Sequence, residues 1–416
     1  MRWLPQFSHA ERDRRWGLVR NGMAEAEVDA LLVLGTDIFW GMGVANLQYL
    51  FHVEGQPACD GLLPLEGEPV VWAGTPHTTW PANRNLSVQS WCSDVRTREG
   101  MAGIAAEVRA RGLERSRLGL VGFASAIQTT TVFLQGDIEA LRRLLPDAEF
   151  VDSSQLLQDV RLVKSEEEID RLRQAAAIAR QTLRALIETA RPGVTEADVY
   201  AEMARTHIAE GGEPSLFMLF GAGPVEHPSD ELWNLLHAAE GPKTPTQRPL
   251  NQGDLVIAEW HTKYGGYRCH TECSVYLGPK APDQLLRIWD VSQECLEASK
   301  SALRAGNTLR EALREIRAPA ARAGLDWVEL GFHAMGAASP EFPTVIYEEG
   351  FGPPMLNGHG IGDFVLQEGM TFGNNVNLHD SAWKPDVGCM VADFMVVRPG
   401  RAEALVGVPV ELPQVG

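Results

Sequence analysis

The sequence predicts a mixed α/β (α+β) protein built from two domains. Three observations carry that prediction. At 416 residues the chain is longer than one domain usually runs. Up to residue 152 it alternates helical periodicity with short apolar runs, the pattern of an α/β layer. Further on, helical stretches come in pairs separated by β-rich runs, the clearest being 253–278, GDLVIAEWHTKYGGYRCHTECSVYLG.

Taken in order, residues 8–26 have the spacing of an amphipathic helix and 28–34 that of an apolar strand. Residues 46–50 and 69–73 continue a strand-and-turn pattern. A helix is expected over 101–112, a strand over 118–123, a helix over 135–145 and a strand over 149–152. Ser165 with Glu168 is a capping box that opens a long helix to about Ala190, where Pro192-Gly193 stops it. Thr195 with Asp198 caps the next, to about Ala209. Residues 280–305 and 308–323 form a second helix pair, and Thr308 with Glu311 is again a capping box.

Within 253–278, Gly265-Gly266 is a two-residue turn that tolerates positive φ. That turn sets the register: Tyr264 meets Tyr267, His261 meets His270, and Glu259 meets Glu272. Side chains alternate faces along a strand, so Glu259, His261, Arg268, His270 and Glu272 share one face, with Trp260, Cys269 and Cys273 on the other. A solvated antiparallel face would also be polar. Five ionisable groups on one side of a hairpin in a large enzyme-like chain point instead to a functional face.

The net charge of −18 argues against a nucleic-acid partner, because phosphates are bound by Lys and Arg. No segment is apolar for the length a membrane helix needs, and the N-terminus has no signal-peptide pattern. The six cysteines lack C-x-x-C spacing, which suggests neither a structural zinc site nor a disulfide framework. A reduced, cytoplasmic setting is expected.

GDLV, a carboxylate shortly after it, Y-x-G-Y, and a polar position three residues beyond that tyrosine together resemble the pita-bread family of creatinase, prolidase, aminopeptidase P and methionine aminopeptidase. Asn46-Leu47-Gln48-Tyr49-Leu50, Arg161-Leu162-Val163-Lys164-Ser165-Glu166-Glu167-Glu168-Ile169, Gly369-Met370-Thr371-Phe372 and Gly388-Cys389-Met390-Val391-Ala392-Asp393 extend the likeness over essentially the whole chain. The resemblance implies a creatinase-like N-terminal α/β domain over 1–160 and a pita-bread catalytic domain over 161–416, whose curved sheet holds the active site. It also implies a homodimer.

In metal-dependent members of that family, two aspartates, a histidine and two glutamates hold a pair of divalent ions. Glu259, His270, His333, Asn375 and Ala392 stand in those places. His333 is chosen over His359 because Pro340-Glu341-Phe342-Pro343 follows it, as the family layout requires; His359 then lies on a Gly-rich loop. Two ions held close together need bridging carboxylates, and only Glu259 is left of the four. Creatinase hydrolyses a carbon–nitrogen bond without metal, with a histidine as acid/base and glutamates that grip a guanidinium. One of those glutamates aligns with Glu272 and the other with Asn375. Its base aligns with Pro242, so His227 or His237 would take that role. Imidazole suits it, with a pKa near working pH.

The expected activity is therefore creatinase-like hydrolysis of a C–N bond in a small polar, nitrogen-containing molecule, with no cofactor required. Catalytic candidates are Glu272, His270, His333, Glu259, His227 and His237; His261, Arg268, Glu341, His359 and Asn375 are candidates for contacts with that small-molecule substrate. Two alternatives stay open. One is a single divalent metal on Glu259, His270, His333 and Asn375, serving an Xaa-Pro dipeptidase or a dimethylsulfoniopropionate-type lyase. The other is a non-catalytic binding module.

Overall fold

The computed structural model describes residues 5–36, 42–52, 58–73, 91–122, 135–214, 217–226, 245–345 and 361–416. His227, His237 and His359 lie outside them. The chain divides into two compact units, Met1–Leu162 with Ala337–Phe342, and Val163–Gly336 with Pro343–Gly416.

In the first unit, Ser8 caps α1 (His9–Glu25) by accepting the Glu11 N–H at 3.0 Å. There follow β1 (Ala30–Thr36), α2 (Ala45–Phe51), β2 (Ala58–Pro64), β3 (Val70–Ala73), β4 (Asp94–Arg96), α3 (Gly100–Ala110), β5 (Arg117–Val121), α4 (Gln135–Leu144), β6 (Glu149–Asp152) and α5 (Ser154–Arg161). The strands form one sheet in the order β4-β3-β2-β1-β5-β6. Leu32, Leu34, Leu62, Trp72, Ile104, Val108, Leu120 and Leu141 pack between the sheet and its helices. One expectation is corrected: residues 46–50 belong to helix α2, not to a strand. Leu47, Gln48, Tyr49, Leu50 and Phe51 are all buried, and a short stretch buried all round carries no period that separates helix from strand.

The second unit opens with α6 (Glu166–Thr189) and α7 (Glu196–Ala209), each started by its capping box. Strands β7 (Phe217–Pro224), β8 (Asp254–Tyr264) and β9 (Tyr267–Leu277) follow, then the pair α8 (Asp283–Ala302) and α9 (Leu309–Ala323). The chain continues through β10 (Asp326–Ala334), β11 (Thr371–Asp380) and β12 (Lys384–Val396). These strands lie side by side in the order β10-β11-β12-β9-β8-β7. Helix α6 packs on β8 and β9, and α8 packs on β11 and β12.

The β8–β9 hairpin turns at Gly265 and Gly266, with φ of 57° and 81°, the left-handed region both turn positions require. Its register is the expected one, with Glu259 opposite Glu272 and His261 opposite His270. The hairpin tip is tied down by Tyr267, whose hydroxyl donates to Glu168 Oε1 at 2.6 Å while the other oxygen of that carboxylate closes the capping box of α6. No helix among the described residues is long and apolar enough to cross a membrane. All six cysteines are buried and free.

Candidate active site

Sheet register assembles the site. Glu259 pairs with Glu272, Glu272 with Ala392, and Ala392 with Asn375, so one row crosses β8, β9, β12 and β11. In β10, His333 pairs with Gly373 and Glu329 with Asn377. Side chains at paired positions share a face. The result is a buried polar patch on one side of the sheet.

His270 is its centre and has no solvent exposure. Its Nε2 lies 3.3 Å from Glu259 Oε1 and 3.3 Å from Glu272 Oε1. Its Nδ1 lies 3.3 Å from His333 Nε2. On the other side of Glu259, His261 Nε2 approaches Oε1 at 3.1 Å. The His261 and His270 rings meet edge to face, with centroids 4.8 Å apart. Gly373 makes the His270–His333 contact sterically feasible: a Cβ there would come within 2.6 Å of His270 Nδ1 and 2.9 Å of His333 Nε2.

Electrostatics fix the protons. Burial alone would lower His270, but hydrogen bonds and charge from Glu259 and Glu272 raise it to about 10, so it is an imidazolium at neutral pH. Burial would raise Glu259, yet the bonds from His261 and His270 hold it well below the usual carboxylate range. Burial, with the Glu259 and Glu329 charges adding to it, pushes Glu272 up to about 8. Burial lowers His261 to about 4. Burial and repulsion from His270 and His261 lower His333 to about 3. A carboxylate only accepts, so neutral His261 donates through Nε2 and keeps its lone pair on Nδ1. The His270 imidazolium donates through Nδ1 to His333, whose own Nδ1–H faces the Ala334 carbonyl at 3.4 Å.

Of the residues singled out in the sequence, Glu259, His261, His270, Glu272, His333 and Asn375 come together here. Arg268 lies on the same hairpin face, fully buried, and its charge helps depress His261. Glu341 is buried, and its carboxylate takes Arg161 as counter-ion and accepts the Ala338 N–H at 3.0 Å, the partners a buried charge requires.

The group that converges in the structure differs from the set expected for a single metal. Among the described residues, the side chains whose ligand atoms converge, all within 4.8 Å of one another, are Glu259, His261 and His270. His333 turns its Nε2 to His270 instead, and Asn375 turns its NH₂ group to Glu272 at 2.9 Å. Three residues escaped the sequence reading: Gly373, Glu329 and Asn377. Glu329 Oε2 accepts the NH₂ groups of both Asn375 and Asn377 at 3.0 Å. Counting by twos from His333 back to Glu329, and from Asn375 on to Asn377, would have found the last two.

A pair of divalent ions does not fit this donor set. Ala392 has no ligand atom, and an amide NH₂ or imidazolium N–H aimed at the carboxylates cannot bind a cation. A single ion fits once His270 gives up its Nε2 proton: Glu259, His261 and His270 then form a two-histidine, one-carboxylate group.

The profile of metallopeptidase family M24 matches residues 170–399, more than half of the chain. A probable dipeptidase PepE from Mycobacterium tuberculosis is 27% identical over 264 residues, which span 62% of this chain and 62% of that relative. The ectoine hydrolase of Halomonas elongata is 24% identical over 420 residues, 98% of each chain. Among solved structures, an Xaa-Pro dipeptidase from Bacillus anthracis superposes with a TM-score of 0.74 at 20% identity, covering 96% of this chain and 99% of that one. The fold is thus shared with that Xaa-Pro dipeptidase, and the chain belongs to metallopeptidase family M24.

Proposed function

We propose that this protein is a hydrolase that cleaves a C–N bond of a small polar, nitrogen-containing molecule by general acid/base catalysis, with no requirement for paired metal ions. The observation that carries the reading is the geometry of His270, whose Nε2 lies 3.3 Å from both Glu259 and Glu272 at a position where the family resemblance implies a metal ligand. A neutral imidazole, His261 oriented by Glu259, accepts a proton from the attacking water. The His270–Glu272 pair returns one to the departing nitrogen. His333 accepts from His270 Nδ1 and keeps the donor on the opposite nitrogen directed at the carboxylates. The ectoine hydrolase supports a small-molecule substrate because that match runs the full length of both chains, whereas the dipeptidase match covers 62% of its relative.

Assays of ammonia, amine and carboxylate release test this directly. The panel holds ectoine, creatine, simple amides and amidines, and Xaa-Pro dipeptides, each with and without EDTA. Turnover of a non-peptide member that EDTA leaves unchanged is the expected outcome. Turnover confined to Xaa-Pro dipeptides and abolished by EDTA would contradict it.

One observation favours a second reading, a single-metal dipeptidase: the convergence of Glu259, His261 and His270. An ion held there would supply Lewis acidity to a carbonyl and lower the pKa of a bound water. Binding it requires His270 to give up its Nε2 proton, which ties loading to high pH.

A further inference from the structure

Three buried oxygens of the polar patch have no donor among the described residues: Glu272 Oε2, Asn375 Oδ1 and Asn377 Oδ1. Their side chains belong to residues only 0%, 3% and 3% exposed. Buried acceptors left unsatisfied are costly and call for a partner. Glu329 explains why the two amide oxygens are left so. Its carboxylate draws the NH₂ of both amides to one oxygen, at 3.0 Å each, and Asn375 Nδ2 also reaches Glu272 Oε1 at 2.9 Å. An amide whose NH₂ faces a carboxylate turns its carbonyl the other way. Both amide orientations are therefore set by a side chain outside the row of family ligand positions.

We propose that Glu329 is a positioning residue: through Asn375 and Asn377 it presents, together with Glu272, a receptor for a planar cationic group with several N–H donors, an amidinium or guanidinium. This rests on the C–N hydrolase reading for its place beside the reacting groups, and it names the part of the substrate held there. A carboxylate end would meet two amide carbonyls and the Glu329 carboxylate behind them, so it is directed elsewhere.

Calorimetric titration of the full-length protein with acetamidinium, and with acetate and Mg²⁺ as controls, reads the receptor without turnover. Acetamidinium is expected to bind and acetate is not. Glu329→Gln frees both amides and is expected to weaken acetamidinium by about tenfold or more. Asn377→Leu removes one acceptor while leaving Glu329 in place and is expected to do the same, so the test survives if either variant folds poorly. In a substrate assay, Glu329→Gln is expected to raise KM more than it lowers kcat. No acetamidinium binding, unchanged affinity in the folded variants, or Mg²⁺ displacing acetamidinium each overturns the proposal. Glu329-dependent acetamidinium binding by a protein that cleaves no C–N bond would refute the proposed activity and leave the receptor standing.

Discussion

Glu259 and Glu272 face each other across the hairpin, and their carboxylates reach the same nitrogen, His270 Nε2, each at 3.3 Å. Two carboxylates this close and this buried resist joint ionisation. Here a single imidazolium and one extra proton settle the conflict, with Glu259 ionised and Glu272 largely protonated at neutral pH.

Glu272→Gln keeps the shape of the side chain and removes its ability to ionise. If Glu272 exchanges a proton with the reacting nitrogen or grips a cation, the loss is on the order of 2 to 5 kcal/mol, the scale for one member of a buried charge pair. That is a fall of at least about thirtyfold in kcat/KM. A well-folded Glu272→Gln protein with most of its activity would remove this residue from the chemistry.

Stability should fall as pH rises from about 6.5 to about 10. His270 is raised from 6.5 to about 10 in the folded protein, so its contribution is complete below pH 6.5 and is lost as pH climbs through its folded value. Glu272, raised from 4.5 to about 8, acts in the same direction in a lower window, between pH 4.5 and about 8, because ionising it penalises the fold. His261 and His333, lowered to about 4 and about 3, weaken the fold on the acid side as pH drops below 6.5 and the unfolded imidazoles take up protons. Urea unfolding across this range should show the alkaline fall in the wild type and a flatter curve in His270→Gln. Equal slopes would place the charge elsewhere.

Gly373→Ala is expected to damage activity more than stability. The added Cβ would sit 2.6 Å from His270 Nδ1 and 2.9 Å from His333 Nε2, and one ring must move. Overpacking of this kind costs about 1–3 kcal/mol of stability. Misplacing the imidazolium should cost about a hundredfold in rate. Thermal melts beside steady-state kinetics separate the two, and wild-type kinetics would show that the His270–His333 contact is incidental.

Much of the catalytic unit was legible because turn chemistry is local. Gly265-Gly266 fixed the hairpin register, and that register placed Glu259, His261, His270 and Glu272 on one face. The capping boxes at Ser165, Thr195 and Thr308 fixed three helix starts. The remainder depended on partners distant in sequence. Nothing near Glu341 signals that Arg161 is its counter-ion, and nothing near Glu329 signals the two amides it orients. Helix α2 was misread because its side chains are buried on every side.

We propose a homodimer, as the family resemblance implies. Light scattering across a range of concentrations should give twice the mass of one chain, 45.6 kDa. A concentration-independent monomer would contradict it.

Metal content is the most direct test of the central claim, that the His270–Glu259–Glu272 triad works in place of a metal pair. Plasma mass spectrometry on freshly purified protein, with C–N hydrolysis assayed before and after exhaustive chelation, decides it. The account predicts less than one bound divalent ion per chain and activity that survives chelation. Two equivalents of manganese, zinc or iron per chain, with activity lost on chelation and restored by the metal, would contradict it.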